Sequence, residues 1–271
     1  MISSLFHYTF LQHAVLASIL ASIICGVIGT MIVEKRLVMM SGGIAHTAFG
    51  GIGLGYFLGV EPIITAFIFS IAAALGISRI NRKLSTHTDV VIGMFWAVGM
   101  SLGVLFIAFT PGYPPDMSSY LFGDILAVSS TDLLLMLVLA AIILFVIGAL
   151  FNLFKAYLFD EEFASVLKIH TVFLEYLMLI LIALSVVVLI RVMGIILVIA
   201  LLTIPVAAVK LFTYDLKKIM MYSMILGASF CFFGLWISYT LGIASGAAIA
   251  LLSGLVYMAC PLVRKLCFRR G

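Results

Sequence analysis

Apolar runs of about twenty residues follow one another along almost the whole chain, separated by short polar stretches. A run of that length, folded as a helix, can cross the hydrocarbon layer of a bilayer. Hydrophobic residues make up 65% of the sequence and charged residues only 10%, and the mean hydropathy is +1.34, values far from those of a soluble domain. We therefore predict an all-α, polytopic membrane bundle of eight or nine transmembrane helices, forming one domain over residues 1–271.

Proline, glycine and charged residues divide the apolar sequence into segments. Arg191 interrupts the sixth apolar run, and the short run after it suits either a full or a half crossing. The polar stretch 110–131 has three prolines and no basic residue, so we expect an extramembrane loop there. The expected spans are 13–33, 38–59, 62–77, 89–109, 132–154, 172–190, 194–204, 219–239 and 243–262.

The basic residues favour one orientation in the membrane. With the N-terminus outside, 14 of the 15 Lys and Arg residues fall on the cytoplasmic side, and Arg191 is the exception. This asymmetry is the one that the positive-inside rule describes. The C-terminus is then cytoplasmic, acidic residues such as Asp116 and Asp124 lie outside, and we expect a multi-pass protein of the cell (inner, cytoplasmic) membrane.

The stretch 38–59 is unusual for a helix that only has to sit in lipid, because it carries seven glycines and a histidine. At helical spacing the glycines form two stripes: Gly43, Gly50 and Gly53 with His46, and Gly51, Gly55 and Gly59. Small residues at such spacing let two helices approach closely. An ionisable side chain inside the membrane, however, indicates a functional role. Two interpretations stay open: a packing surface, or a helix that lines a cavity or pathway at His46.

A polar, helix-sized segment, 157–170, lies between two spans on the predicted cytoplasmic side. Its acidic residues suit the start of a short helix. The sequence has no P-loop pattern GxxxxGK[ST], so any energy from ATP has to come through a partner. We predict that this segment binds a peripheral subunit rather than lipid headgroups, because acids are repelled by the negatively charged inner leaflet. The residues expected at this contact are Phe159, Asp160, Glu161, Glu162, Phe163 and Leu167.

Patterns that carry hydrolytic chemistry, such as HExxH and GxSxG, do not occur in the sequence. The four cysteines form no CxxC pair, so neither a disulfide nor a structural zinc site is expected. The net charge of +4 comes from the loops and does not indicate nucleic-acid binding. We therefore expect a chain that is not an enzyme and has no cofactor of its own.

Five stretches resemble, in chain order, the signature motifs of one family: MSGGIAHTAFGG (40–51), TDVVIG (88–93), LFGDIL (121–126), FDEEFA (159–164) and 192–210. Together they are similar to the motifs of zinc/manganese/iron ABC importer permeases, the ZnuB-like, ABC-3 type transmembrane subunits. The resemblance implies a permease for a divalent transition metal (zinc, manganese or iron). It also implies a homodimer, two P-loop ATPase subunits that bind ATP, and an external solute-binding protein.

The resemblance assigns roles to two matched residues. His46 matches the histidine of the family and is expected on the translocation path, touching the transported metal. Asp89, which also matches a family motif, starts the fourth span near the inner boundary and is expected to be a gate or a structural residue rather than a co-ligand. The chain departs from the family pattern in two places: Gly42 stands where the family has an aspartate, and the family's DxPSG reads GIASG at 242–246.

A competing class is an ATP-independent channel or an ion-coupled secondary carrier. Such a protein is expected to carry acidic residues inside its spans for ion coupling. Only Glu175, near a helix end, meets that expectation. Copurification of a P-loop ATPase with the chain would separate the two classes.

Overall fold

The computed structural model describes residues 8–84, 88–112 and 122–268. Helices account for most of these residues, and no β-strand occurs among them, which confirms the all-α fold class. In chain order the α-helices are α1 (Thr9–Glu34), α2 (Val38–Leu58), α3 (Pro62–Leu84), α4 (Thr88–Ala108), α5 (Ser130–Ala149), α6 (Phe151–Phe159), α7 (Glu161–Val166), α8 (Thr171–Lys210), α9 (Leu216–Leu241) and α10 (Ser245–Phe268).

Seven helices in the described part of the chain are long and apolar enough to cross a membrane: α1, α3, α4, α5, α8, α9 and α10. The chain is therefore a multi-pass membrane protein. Helix α2 has 21 residues, enough for one crossing by length, but it is not one of these seven. Helix α8 has 40 residues, roughly twice what one crossing requires. The predicted number of eight or nine crossings and the predicted orientation stay predictions.

Helix α8 differs from the expected spans in where it is interrupted. It runs through Arg191 and leaves helical geometry at Gly194 instead, where φ is 75° and ψ is 163°. Glycine adopts that conformation far more readily than other residues. Arg191 is accommodated in the helix because its Nε lies 2.8 Å from the Asp132 carboxylate, which compensates its charge. The prediction that Arg191 interrupts the helix was wrong.

Two other helix ends also differ from the expected spans. Helix α3 continues to Leu84, past the expected end of its span at residue 77, so the basic stretch 79–83 is helical and not a loop. Helix α5 ends at Ala149, and the apolar sequence that follows forms the separate short helix α6. Arg82 and Lys83 therefore lie in the last turn of α3, where basic side chains are favourable, and not in a loop after it.

The predicted loop 110–131 is only partly covered, because residues 113–121 lie outside the described residues. In the covered part, the Asp124 side chain accepts a hydrogen bond from a backbone N–H two residues on and begins a short 3₁₀ turn. Ser129 and Asp132 then form a reciprocal capping box at the start of α5. Asp132 therefore caps α5 and also pairs with Arg191.

The chain folds as two compact units. The first unit consists of Met1–Glu34, Ser118–Leu150 and Leu189–Gly271, and the second of Lys35–Met117 and Phe151–Val188. The prediction that residues 1–271 form one domain stays a prediction.

Helix α1 is the centre of the first unit and packs against α5 and α9. A methyl group on Gly26 of α1 would lie 2.5 Å from the Met224 side chain of α9, so glycine permits this close approach. Gly234 likewise permits a close approach of α9 and α10, because a methyl group at this position would lie 2.7 Å from the Cα of Ile249.

Candidate functional site

In the second unit, α2 packs against α4 along a seam of small residues. A methyl group on Gly50 would lie 2.7 Å from the carbonyl oxygen of Gly99, and one on Gly53 would lie 2.5 Å from that of Gly103. Both distances are shorter than van der Waals contact. The two backbones can approach this closely because glycine has no side chain.

The second glycine stripe of α2 packs against α3. A methyl group on Gly51 would lie 2.7 Å from the Cα of Ala66, and one on Gly55 would lie 2.6 Å from the Cα of Pro62. The glycines at these positions therefore serve as packing surfaces, with one stripe for each neighbouring helix. The space that they leave is filled by α3 and α4.

His46 lies in the α2–α4 seam, between Gly43 and Gly50. Its ring stacks on the indole of Trp96, with ring centroids 4.0 Å apart and an interplanar angle of 14°. The residue is 9% exposed, and its Nδ1 has no hydrogen-bond partner in the described part of the chain. A buried polar atom without a partner costs free energy, so this nitrogen requires an explanation.

No complete metal site is formed by this chain's described residues. Within 8–84, 88–112 and 122–268, no group of three His, Cys, Asp or Glu side chains is placed to hold a metal ion. Asp89 is exposed in the first turn of α4, seven residues before Trp96 and hence roughly 10 Å away along the helix axis. Gly42, which replaces the expected aspartate, is buried in α2. The metal contact of His46 and the gating role of Asp89 stay predictions.

The segment 157–170 contains the predicted short helix, α7. The Asp160 carboxylate caps this helix by accepting a hydrogen bond from the backbone N–H of Phe163 at 2.9 Å. Four large apolar side chains of the segment are more than half exposed: Phe159, Phe163, Val166 and Leu167. An exposed apolar patch of this kind indicates a contact surface.

Glu161, which the sequence assigned to the partner contact, is paired within the chain. Its Oε2 lies 2.8 Å from Nζ of Lys35, just before α2, and its Oε1 lies 4.0 Å from the Arg82 guanidinium of α3. Lys35 Nζ also lies 3.6 Å from the ring centroid of Tyr157. Burial raises the pKa of Tyr157 well above its ordinary value, and the Glu161 and Glu175 carboxylates raise it further, so the phenol is neutral at physiological pH.

Glu175, near the start of α8, completes this arrangement. Its carboxylate pairs with the Arg82 guanidinium and accepts a hydrogen bond from the Ser78 hydroxyl at 2.6 Å. A cavity of about 400 Å³ lies among these groups. We refer to the set as the charged cluster, which consists of Lys35, Ser78, Arg82, Tyr157, Glu161 and Glu175. Sequence reasoning did not find it, because its members lie on four separate stretches of the chain and no local pattern links them.

A family model described as the ABC 3 transport family matches residues 7–264. The chain belongs to this family. Among curated proteins, this ABC 3 chain is 33% identical to the manganese transport system membrane protein MntC of Listeria monocytogenes, over 94% of this chain and 91% of the relative. It is 30% identical to the manganese import system permease protein ScaB of Streptococcus gordonii, over 95% and 92% of the two chains.

A solved structure is similar to the ABC 3 chain in both sequence and fold. PsaBC from Streptococcus pneumoniae in complex with Fab matches with a TM-score of 0.87 and 30% identity, covering 96% of this chain and 93% of that chain. The family match confirms the resemblance carried by the five motifs and extends it over nearly the whole sequence.

Proposed function

We propose that this chain is the transmembrane permease subunit of an ATP-binding cassette importer for a divalent transition metal. The family match over residues 7–264 carries the proposal. The relatives whose names state a transported metal favour manganese over zinc and iron. These relatives align over more than nine-tenths of this chain and of their own length, so the proposal concerns the whole of this chain.

The transported ion passes His46 in this proposal. The buried, unpartnered Nδ1 supports that role, because a neutral imidazole nitrogen is a ligand for manganese, iron and zinc. A permease has to release its cargo, so one ligand supplemented by water or by the second protomer suits a transient site. Asp89, exposed at the start of α4, would act as a gate at the cytoplasmic end.

The ATPase subunits bind the exposed apolar side chains of Phe159, Phe163 and Leu167 in this proposal. Exposed Glu162 can add a polar contact at the rim of that patch. Asp160 and Glu161 have internal partners, and their roles are to shape α7 and to join it to the rest of the second unit. In this proposal the apolar side chains are the centre of the coupling surface, and contact of Asp160 and Glu161 with the ATPase stays a prediction.

We infer nine crossings, with the N-terminus outside and the C-terminus in the cytoplasm. The seven membrane-length helices count α8 once and leave out α2. A second pass by the 40-residue α8, divided at Gly194, and one pass by α2 give nine. The basic residues between the spans support this orientation.

The assembly implied by the proposal contains two copies of this chain, two P-loop ATPase subunits and an external solute-binding protein in the cell (inner) membrane. ATP is bound by the ATPase subunits, and this chain carries no cofactor and does no catalysis. The metal is cargo.

Copurification tests the proposal. A tagged chain isolated from its native membrane should bring a P-loop ATPase with it, and the double variant Phe163→Asp/Leu167→Asp should lose that ATPase while remaining inserted. Tyr214→Asp, which changes an exposed aromatic residue outside the segment, is the matched control and should keep the ATPase. Absence of any ATPase from the unaltered complex would support the channel or ion-coupled carrier instead. Retention by the double variant would place the coupling surface elsewhere.

A further inference from the structure

We propose that Trp96 is a positioning residue for the transported metal: its indole face orients the His46 ring and stabilises the cationic, metal-bound imidazole. This inference rests on the proposed function. Sequence reasoning singled out His46 but gave Trp96 no role.

The register of the α2–α4 seam supports the assignment. The contacts run in step along both helices, pairing residues 43 with 92, 46 with 96, 50 with 99, and 53 with 103. A glycine occupies at least one side at three of these four levels. At the fourth level two rings face each other. His46 and Trp96 are therefore the one pair of bulky side chains among these four levels of the seam. His46 is also the buried ionisable residue of α2.

The stacking geometry does not place Trp96 over the metal-binding lone pair of His46, although Nδ1 itself is buried. The lone pair of an imidazole nitrogen lies in the plane of the ring, whereas the nearly parallel indole of Trp96 covers only one face of that ring. Trp96 therefore restricts rotation of His46 without covering Nδ1, which has no partner in the described part of the chain. A ring held in this way is pre-organised to bind, because less rotational freedom is lost when the ion arrives.

The electrostatics favour the same role. Helix α2 contains no acidic residue, and the only one in α4 is Asp89, two helical turns before Trp96. The face of an indole is electron-rich and attracts a cation, an effect that increases when water is excluded. An imidazole that binds a divalent ion becomes cationic, so Trp96 stabilises the bound state more than the empty one.

Fluorescence tests the contact directly. The sequence contains two tryptophans, so Trp236→Phe leaves Trp96 as the only tryptophan of this chain, and a complex with both residues changed to phenylalanine gives the emission of the partner subunits. We expect Co²⁺, a paramagnetic ion that binds imidazole, to quench Trp96 emission saturably in the purified complex, and His46→Ala to abolish the saturable component. Equal quenching with and without His46 would overturn the inference.

Uptake kinetics separate positioning from packing. Trp96→Leu should raise the KM for Mn²⁺ by roughly 2- to 30-fold, the range of a cation–π contribution, with the maximal rate and the bound ATPase unchanged. Trp96→Phe, which keeps an aromatic face, should stay close to the unaltered protein. A Trp96→Leu variant with unchanged KM would overturn the inference while uptake by the unaltered complex continued. If the unaltered complex moved no divalent ion, the proposed function itself would fail.

Discussion

At the scale of single residues, glycines lie where α2 touches α3 and α4. His46 is the position at which two bulky rings, its own and that of Trp96, pack against each other instead. The sequence showed which positions of α2 lie on one face, because helical spacing determines it. It could not show that Gly43, Gly50, Gly51, Gly53 and Gly55 are covered by protein, since the residues opposite lie on α3 and α4, nor that Gly59 lies past the end of α2 and is exposed. For the same reason the stacking of Trp96 on His46 was not predictable from local sequence.

Two glycines of α4 offer a matched test of the seam. A methyl group on Gly99 would lie 2.6 Å from the Cα of Thr47, whereas nothing lies within 4 Å of a methyl group on Gly93. We expect Gly99→Ala to lower the free energy of unfolding by about 1–3 kcal/mol, as overpacking does. Gly93→Ala should leave it unchanged or raise it by up to about 1 kcal/mol, the gain in helix propensity. Denaturant or thermal unfolding in detergent measures both, and equal stabilities would mean that the seam tolerates side chains at Gly99.

At the scale of elements, the existence of the helices followed from the apolar runs, and their ends did not. Arg191 was expected to break α8, but its partner Asp132 comes from α5, far along the chain. The kink falls instead at Gly194, whose backbone conformation other residues adopt only with strain. Similarly, the pairing of Glu161 with Lys35 and Arg82 was not predictable from local sequence, because those residues lie on other elements.

A charge exchange tests whether the charged cluster links α7 to the helix that carries His46. Glu161→Lys should lower uptake by roughly 2- to 10-fold, because it places a third base beside Lys35 and Arg82 and removes an ion pair worth about 1 kcal/mol. Adding Lys35→Glu to this variant should restore part of the loss. An additional loss in the double variant would mean that Glu161 acts on the partner subunit and not on Lys35.

At the scale of the whole molecule, the membrane character followed from composition, whereas the division into two compact units did not. Each unit is assembled from stretches far apart in the sequence, so no composition shift or linker marks the boundary. All the predicted site residues lie in the second unit. Phe163 and Leu167 are exposed, as a docking surface requires.

Orientation can be measured on the intact protein. In a variant with its four native cysteines replaced, Asp124→Cys should react with a membrane-impermeant thiol reagent added outside cells, and Lys83→Cys should react only after the membrane is opened. Both positions are exposed, so accessibility to the reagent reflects the side of the membrane. Reaction of Lys83→Cys from outside would reverse the proposed orientation.

The central claim is that this chain moves a divalent metal at the expense of ATP hydrolysed by another subunit. The direct measurement is Mn²⁺ movement across vesicles that contain this chain, its ATPase and its solute-binding protein, with ATP on the ATPase side and Mn²⁺ on the other. We predict accumulation of Mn²⁺ on the ATPase side against its gradient, only with hydrolysable ATP, and its loss in His46→Ala with the ATPase still bound. Mn²⁺ movement only down its gradient, at the same rate with and without ATP, would contradict the account.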